Sequence, residues 1–282
     1  MLRKALILAA VVGGLVLAPP ALADTSSAEP KDVHWSFEGP FGRFDQEQLQ
    51  RGYKVYHDVC SACHAMRLMS YRNLGQPGGP FYIPKYKNPN DNPVVKALAA
   101  DFQVADIDSD TGDAIKRPAI PADTFASPFP NEAAARASNG GALPPDLSLI
   151  VKAREGGPQY IYSILTGYAP PPPGLKVPVG KYYNPYMAGD LGANWFGKGP
   201  VPIGGFIGMP KQLTPNRVTF DDGVKATAEE EAWDVTAFLA WAAEPHADER
   251  KTMGLGVLAF LVIFAGLLYA SYRQLWKDID HH

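Results

Sequence analysis

From Thr252 to Tyr272 the chain runs for 21 residues without a single charge (TMGLGVLAFLVIFAGLLYASY). As a helix rising ~1.5 Å per residue this segment is about 31 Å long, the thickness of a ~30 Å hydrocarbon core. A helix buried in a soluble protein rarely stays apolar on every face over that length. Tyr269, Tyr272 and Trp276 fall where an interfacial aromatic belt sits. Residues 252–272 are therefore expected to be a transmembrane anchor, with 273–282 as a short tail. Arg250 and Lys251 precede the span and Arg273 and Lys277 come after it, so flanking charge does not set its direction.

The N-terminus supplies the direction. Arg3 and Lys4 lead into an apolar run from Ala5 to Ala18, and Ala21-Leu22-Ala23 is a small-residue cleavage site after Pro19-Pro20. Residues 1–23 read as a secretory signal peptide, removed after Ala23, with an apolar stretch too short and broken to span. Export of the mature chain, halted by one span, puts 24–251 outside the cytoplasm and 273–282 inside.

The body between these ends is ordinary globular material, 46% apolar and 20% charged. The formal charge of −3 becomes more negative once Arg3 and Lys4 leave, and this excludes the basic footprint that nucleic acid requires. Asp45–Cys63 reads as a helix, with Leu49, Tyr53, Tyr56, Cys60 and Cys63 at three- and four-residue steps. Ala228–Ala243 reads as a second, with Thr227 as N-cap and Glu230 completing a capping box. Shorter helices are expected over Asn131–Ser138 and Asp146–Arg154. The proline-rich stretches Gln76–Pro93 and Ala169–Pro215 read as irregular loops, and no strand pattern of note is visible. The fold class is mainly α, with long loop insertions.

Two cysteines cannot supply a disulfide framework, but their spacing is informative. Cys60-Ser61-Ala62-Cys63-His64 is a C-x-x-C-H motif. Two thiols three residues apart lie on one side of a helical turn and can add across the vinyl groups of a haem, and the adjacent histidine then becomes the proximal iron ligand. A thioredoxin-like pair would need a βαβ context, and a zinc site would need two further ligands where no other cysteine exists. One covalently attached haem c is the expected cofactor.

The sixth iron position is approached by elimination. Met1 leaves with the signal peptide, Met253 sits in the span, and Met66 and Met69 follow His64 too closely to reach the other haem face. Met187 and Met209 remain. Met209 is favoured because it sits in Gly204-Gly205-Phe206-Ile207-Gly208-Met209-Pro210, whose small residues let backbone approach a flat cofactor. His34 and His246 are the remaining histidine candidates.

The runs RGYKVYHDVCSACH, EAAARASNGGALPPDLSLIVKAREGGPQYIYSILTGY, YYNPY, and FDDG followed by VTAFLAWAAEPHADERKTMGLG, in that order, resemble the cytochrome c1 family. Its members are the membrane-anchored haem subunits of the cytochrome bc1 complex (ubiquinol–cytochrome c oxidoreductase). The resemblance is to the bacterial form and covers nearly the whole mature chain. It implies a c-type cytochrome fold in the bacterial inner membrane, with the haem domain periplasmic and the C-terminus cytoplasmic. It implies Met209 as sixth ligand, a haem pocket lined by Asn139, Pro144 and Pro145, a propionate paired with Arg154, and Tyr160 near the haem edge. An arginine is the natural bidentate partner of a propionate, and Leu143-Pro144-Pro145 offers rigid apolar surface to a porphyrin. The implied partners are cytochrome b beside the anchor, the Rieske iron–sulfur protein as donor and cytochrome c as acceptor. The implied role is one-electron relay within the complex, with no catalytic activity of the chain alone.

Asp101, Asp106, Asp108, Asp110 and Asp113 form one acidic cluster, Asp221-Asp222 a second and Glu229-Glu230-Glu231 a third. Any of them could be solvated surface or a dock that steers a basic cytochrome c. Two other classes compete with the relay. A haem peroxidase or nitrite reductase needs an open distal site and usually a second haem, and a haem gas sensor is five-coordinate. Carbon monoxide binding separates both from a six-coordinate relay.

Overall fold

A computed structural model describes residues 27–277. The expected signal peptide and residues 278–282 of the tail lie outside the described residues. In chain order the described elements are α1 (Gln46–Val55), α2 (Pro93–Ala100), β1 (Gln103–Ile107), β2 (Ala114–Pro118), α3 (Glu132–Ser138), α4 (Gly157–Thr166), β3 (Tyr182–Asn184), β4 (Gly205–Ile207), α5 (Ala228–Ala243) and α6 (Ala247–Leu275), with short 3₁₀ turns between them. The chain is mainly helical, as expected.

Asp45 starts α1 by accepting a 3.0 Å hydrogen bond from the Gln48 amide. The helix does not run regularly to Cys63. Tyr56–Cys60 form a π-helical turn in which the Ser61 amide reaches back to the Tyr56 carbonyl at 2.8 Å. The amides of Cys63 and His64 then both donate to the Cys60 carbonyl, at 3.1 and 2.9 Å. A wider turn of this kind re-aims the residues next in the chain, and here those residues are the C-x-x-C-H motif.

The core forms where α1 crosses α5. A Cβ at Gly52 would lie 2.1 Å from the Asp234 carbonyl oxygen and 2.7 Å from the Phe238 Cβ, so only glycine lets these helices touch. Trp35, Tyr53, Tyr56, Tyr71, Phe125, Phe238 and Trp241 surround the crossing, each 3% exposed or less. Burial of each such side chain contributes roughly 1.5–3 kcal/mol. Arg51 locks the crossing from its rim. Its guanidinium holds both oxygens of the fully buried Asp234 (2.8 and 3.1 Å) and one oxygen of Asp222 (2.8 Å).

Thr227 caps α5 by accepting from the Glu230 amide at 3.1 Å, but the reciprocal half of the capping box is missing. The Thr227 amide donates to Lys225, and the Glu230 carboxylate turns to within 3.9 Å of Arg51. Charge competition from a neighbouring helix outweighs the local cap.

Two further local expectations are corrected. Residues 146–154 form turns rather than a helix, because the Asp146 carboxylate accepts from the Ser148 amide and from the distant Arg67 amide, both at 2.9 Å. Helix begins only at Gly157. Two antiparallel pairs, β1–β2 and β3–β4, appear where no strand was expected. The first lies largely in solvent, so it lacks an apolar alternation; the second has three residues per strand, too few to show a period.

Among the described residues one helix, α6, is long and apolar enough to cross a membrane, with mean hydropathy 2.3 over its best 18 residues, none of them buried. It begins five residues before the uncharged run, and that extra turn is fastened to the domain. Asp248 accepts from the Phe44 amide at 3.2 Å, and the Lys251 ammonium donates to the carbonyls of Phe37 (2.5 Å) and Gly42 (3.1 Å).

Candidate cofactor site

Cys60 and Cys63 are free thiols, half-buried at the end of the π turn. Burial, and then the neighbouring Cys63, push the Cys60 thiol up to about 12. The imidazole of His64 is placed by a segment distant in sequence: its Nδ1 lies 2.8 Å from the Pro145 carbonyl oxygen. A carbonyl only accepts, so Nδ1 carries the hydrogen and Nε2 keeps its lone pair. Burial lowers the His64 pKa against the opposing pull of Pro145 and Asp146, which favours the neutral ring that ligates a metal.

The two segments are laced together beyond that bond. The Leu147 amide donates to the Ala65 carbonyl at 2.8 Å, the Arg67 amide to Asp146, and the Leu68 amide to the Ser148 hydroxyl at 3.1 Å. His64 is thus carried on a closed loop with Pro144 and Pro145.

The Met209 segment reaches the same loop. A Cβ on Gly208 would lie 3.0 Å from the Ala142 Cβ and 3.3 Å from the Lys181 Nζ, so the strand end carrying Met209 passes flush against the residues just before Pro144. Tyr168, past the end of α4, donates from its hydroxyl to the Met209 carbonyl at 2.8 Å. Met187 also lies beside this segment, its carbonyl oxygen 2.8 Å from where a Cβ on Gly205 would sit, but its sulfur is turned to the Tyr160 hydroxyl and accepts from it at 3.7 Å.

The remaining expected residues divide. Tyr160 is half-buried on α4; burial raises its hydroxyl pKa, opposed by the positive charge of Arg154. Arg154 is exposed in the turn before α4, where its guanidinium donates to the Ala153 carbonyl at 3.0 Å. Asn139 ends α3, and its amide donates back to the Ala135 carbonyl at 2.7 Å, so that group caps a helix. Sequence reasoning missed Tyr168, Ala142 and Asp146. Only Asp146 carried a local signal, as the Asx turn of Pro-Pro-Asp-Leu-Ser.

Two unpaired thiols, an imidazole with Nε2 free and a cradle closed by Gly208 against Ala142 are a donor set that fits a haem held by C-x-x-C-H. Among the described residues no group of three His, Cys, Asp or Glu is placed to hold a metal ion.

One long apolar helix and a C-x-x-C-H donor set together fit a membrane-anchored haem protein of the electron-transfer class. The model of the cytochrome C1 family matches residues 35–279, and the chain belongs to that family. It is 40% identical over 297 residues to cytochrome c1 of Rhodospirillum rubrum, covering 100% of this chain and 99% of that protein. It is 41% identical over 273 residues to the mitochondrial cytochrome c1 1, heme protein, of Arabidopsis thaliana, covering 96% of this chain and 80% of the other. Against cytochrome b/c1 of Bradyrhizobium diazoefficiens it is 43% identical over 277 residues, 92% of this chain but only 37% of that longer protein. Family membership makes the chain a haem-carrying, electron-transfer subunit of the bc1 complex.

Proposed function

We propose that Cys60 and Cys63 bind one haem c covalently, that His64 supplies the proximal ligand through Nε2, and that Met209 supplies the sixth. When bound, that haem supplies one-electron Fe(III)/Fe(II) chemistry, by which an electron passes from the Rieske iron–sulfur protein to cytochrome c. The observation that carries this reading is the 2.8 Å bond from His64 to Pro145, which sets the tautomer whose Nε2 lone pair would hold the iron.

Each remaining residue has a task. Pro144 and Pro145 present rigid apolar surface that keeps water from the ligand ring. Arg154, with no carboxylate partner among the described residues, is free to pair with a propionate. Tyr160 orients the Met187 side of the pocket, and Tyr168 holds the Met209 backbone. Asn139 acts by closing α3, which sets the course of the loop through Ala142. None of these groups needs to move a proton for relay, so the chain is expected to have no catalytic activity alone.

Burial narrows the dock for a basic acceptor. Glu231 is fully buried, accepting from the amides of Arg217 (2.9 Å) and Val218 (3.2 Å), while Glu230 and Asp222 face Arg51. Asp110 and Asp113 on the exposed β1–β2 hairpin keep their charge toward solvent, and Asp108 stands between them with one carboxylate oxygen accepting from the amides of Asp110 and Thr111. The root of that hairpin is beside the attachment segment, with Asp101 3.7 Å from the His57 Nε2. The hairpin is therefore our choice of dock.

The placement proposed is that of an exported domain: signal removed after Ala23, residues 24–251 periplasmic, 252–272 spanning the inner membrane beside cytochrome b, and 273–282 cytoplasmic. The test is spectroscopic. The purified chain should show a low-spin c-type spectrum, resistant to acid–acetone haem extraction and inert to carbon monoxide, and should co-purify with a cytochrome b and a Rieske protein. A carbon-monoxide-reactive haem would replace the relay with a sensor or enzyme.

A further inference from the structure

We propose that a cleft at the head of α6 binds the headgroup of one ethanolamine phospholipid. The cleft, about 910 Å³, lies between the first turns of α6 and the loop running from Gly75 to Pro89. That volume is in the range of small-molecule sites, ~300–1,000 Å³. Thr252 and Met253, the first residues of the uncharged run, line it. With α6 taken as a membrane span, the cleft opens where hydrocarbon gives way to water. An occupant must be polar at one end and apolar at the other.

The lining is charged in a way that suits a zwitterion. Arg43 and Lys87 line the cleft, and neither has a carboxylate within ion-pair distance among the described residues. One donor of Arg43 is given to the Thr252 hydroxyl at 3.2 Å, which holds the guanidinium at the membrane end. Two unpaired cations beside a bilayer surface are a phosphate site.

The carboxylates explain why the ligand is not simply an anionic lipid. Asp248 lines the same cleft; its Oδ2 accepts from the Phe44 amide, while its Oδ1 is occluded and has no hydrogen-bond partner. Glu249 also lines the cleft and is shared with His246 at 3.2 Å. The Glu249 carboxylate is exposed and can take a donor from the cleft, while the buried Asp248 oxygen adds negative charge beside it. An ethanolamine ammonium carries three N–H donors, whereas a choline headgroup carries none on its nitrogen. A glycerol headgroup keeps the net negative charge of its phosphate and brings no ammonium of its own to Asp248 and Glu249. Tyr82 and Tyr86 complete the rim with the amphipathic rings favoured at that depth.

The test uses the haem-loaded full chain in mild detergent, offered equal amounts of phosphatidylethanolamine, phosphatidylcholine and phosphatidylglycerol, with retained lipid counted by native mass spectrometry. One phosphatidylethanolamine per chain is expected, preferred about tenfold over each competitor. Lys87→Gln, whose side chain makes no hydrogen bond among the described residues, should weaken retention of all three lipids. Glu249→Gln should level phosphatidylethanolamine with phosphatidylcholine. Equal retention of all lipids by the native chain overturns the proposal, as does indifference to both variants. Displacement by millimolar inorganic phosphate would reduce the cleft to a phosphate site. Loss of the lipid on assembly with cytochrome b would assign the cleft to a protein contact. Release of the chain from membranes by a carbonate wash would instead sink the span reading, a separate failure.

Discussion

His64 and Pro145, 81 residues apart in the chain, are joined by one 2.8 Å hydrogen bond from ring nitrogen to backbone carbonyl. The carbonyl is held by the turn that Asp146 organises, and the ring by the turn that ends α1. Neither turn orients the imidazole alone.

Replacing Met209 with leucine removes the soft thioether that favours Fe(II). The midpoint potential should fall by an appreciable part of the ~0.8 V range that axial ligation spans, and the iron should bind carbon monoxide. Met187→Leu should leave the spectrum low-spin and carbon-monoxide-inert, because the Met187 sulfur is engaged by Tyr160. The reverse pattern would hand the sixth position to Met187.

Any side chain at residue 208 meets Ala142 at about van der Waals overlap, the two Cβ atoms lying 3.0 Å apart. Gly208→Val should push Met209 away and make a fraction of the haem reactive to carbon monoxide, with the potential lowered. The milder Gly208→Ala should be rescued by Ala142→Gly, a double-mutant coupling that independent sites would not show.

Burial lifts the Asp234 carboxyl to about 7, with Arg51 pulling against it, while the Arg51 guanidinium is raised above its usual value by its two carboxylates. Ionised Asp234 thus costs free energy in the folded state: its contribution is most favourable below ~pH 3.9 and is lost as pH rises through about 7. Arg51→Met moves that folded pKa higher still. Its destabilisation should be about 3–5 kcal/mol at pH 8 and visibly smaller at pH 5, where the buried carboxyl is protonated. Urea unfolding at the two pH values measures this; an equal loss at both would mean Asp234 stays ionised throughout.

Converting Asp108, Asp110 and Asp113 to asparagine should slow electron transfer to a basic cytochrome c at low salt and flatten its salt dependence, since exposed charges act over ~8–10 Å. Glu231→Gln should instead lower thermal stability with the salt slope unchanged, because its carboxylate holds the amides of Arg217 and Val218. Stopped-flow oxidation across ionic strength separates the two.

A chain ending after Thr252 keeps Lys251 on the carbonyls of Phe37 and Gly42, and Asp248 on Phe44. Exported and haem-loaded, it should be soluble with a near-native potential, yet fail to support quinol oxidation in cells. An insoluble or haem-free product would show that α6 belongs to the domain core.

Part of the protein is legible in the chain alone, for physical reasons. A run of 21 uncharged residues is a statement about solvent, and it needs no neighbours to be read. C-x-x-C-H is a spacing within one turn, and the caps at Asp45 and Thr227 are likewise local. What the chain alone could not settle were contacts between segments. The helix expected over 146–154 is absent because Asp146 bonds Arg67, which no window around residue 146 contains. Tyr160 at the Met187 sulfur, Tyr168 at the Met209 carbonyl and Ala142 against Gly208 are likewise contacts between segments far apart in the chain. Glu229–Glu231 look alike in sequence, yet one is fully buried, because a helix face is defined only by what packs on it. Periodicity and motif report what a residue can do; only the tertiary structure decides which partner it meets.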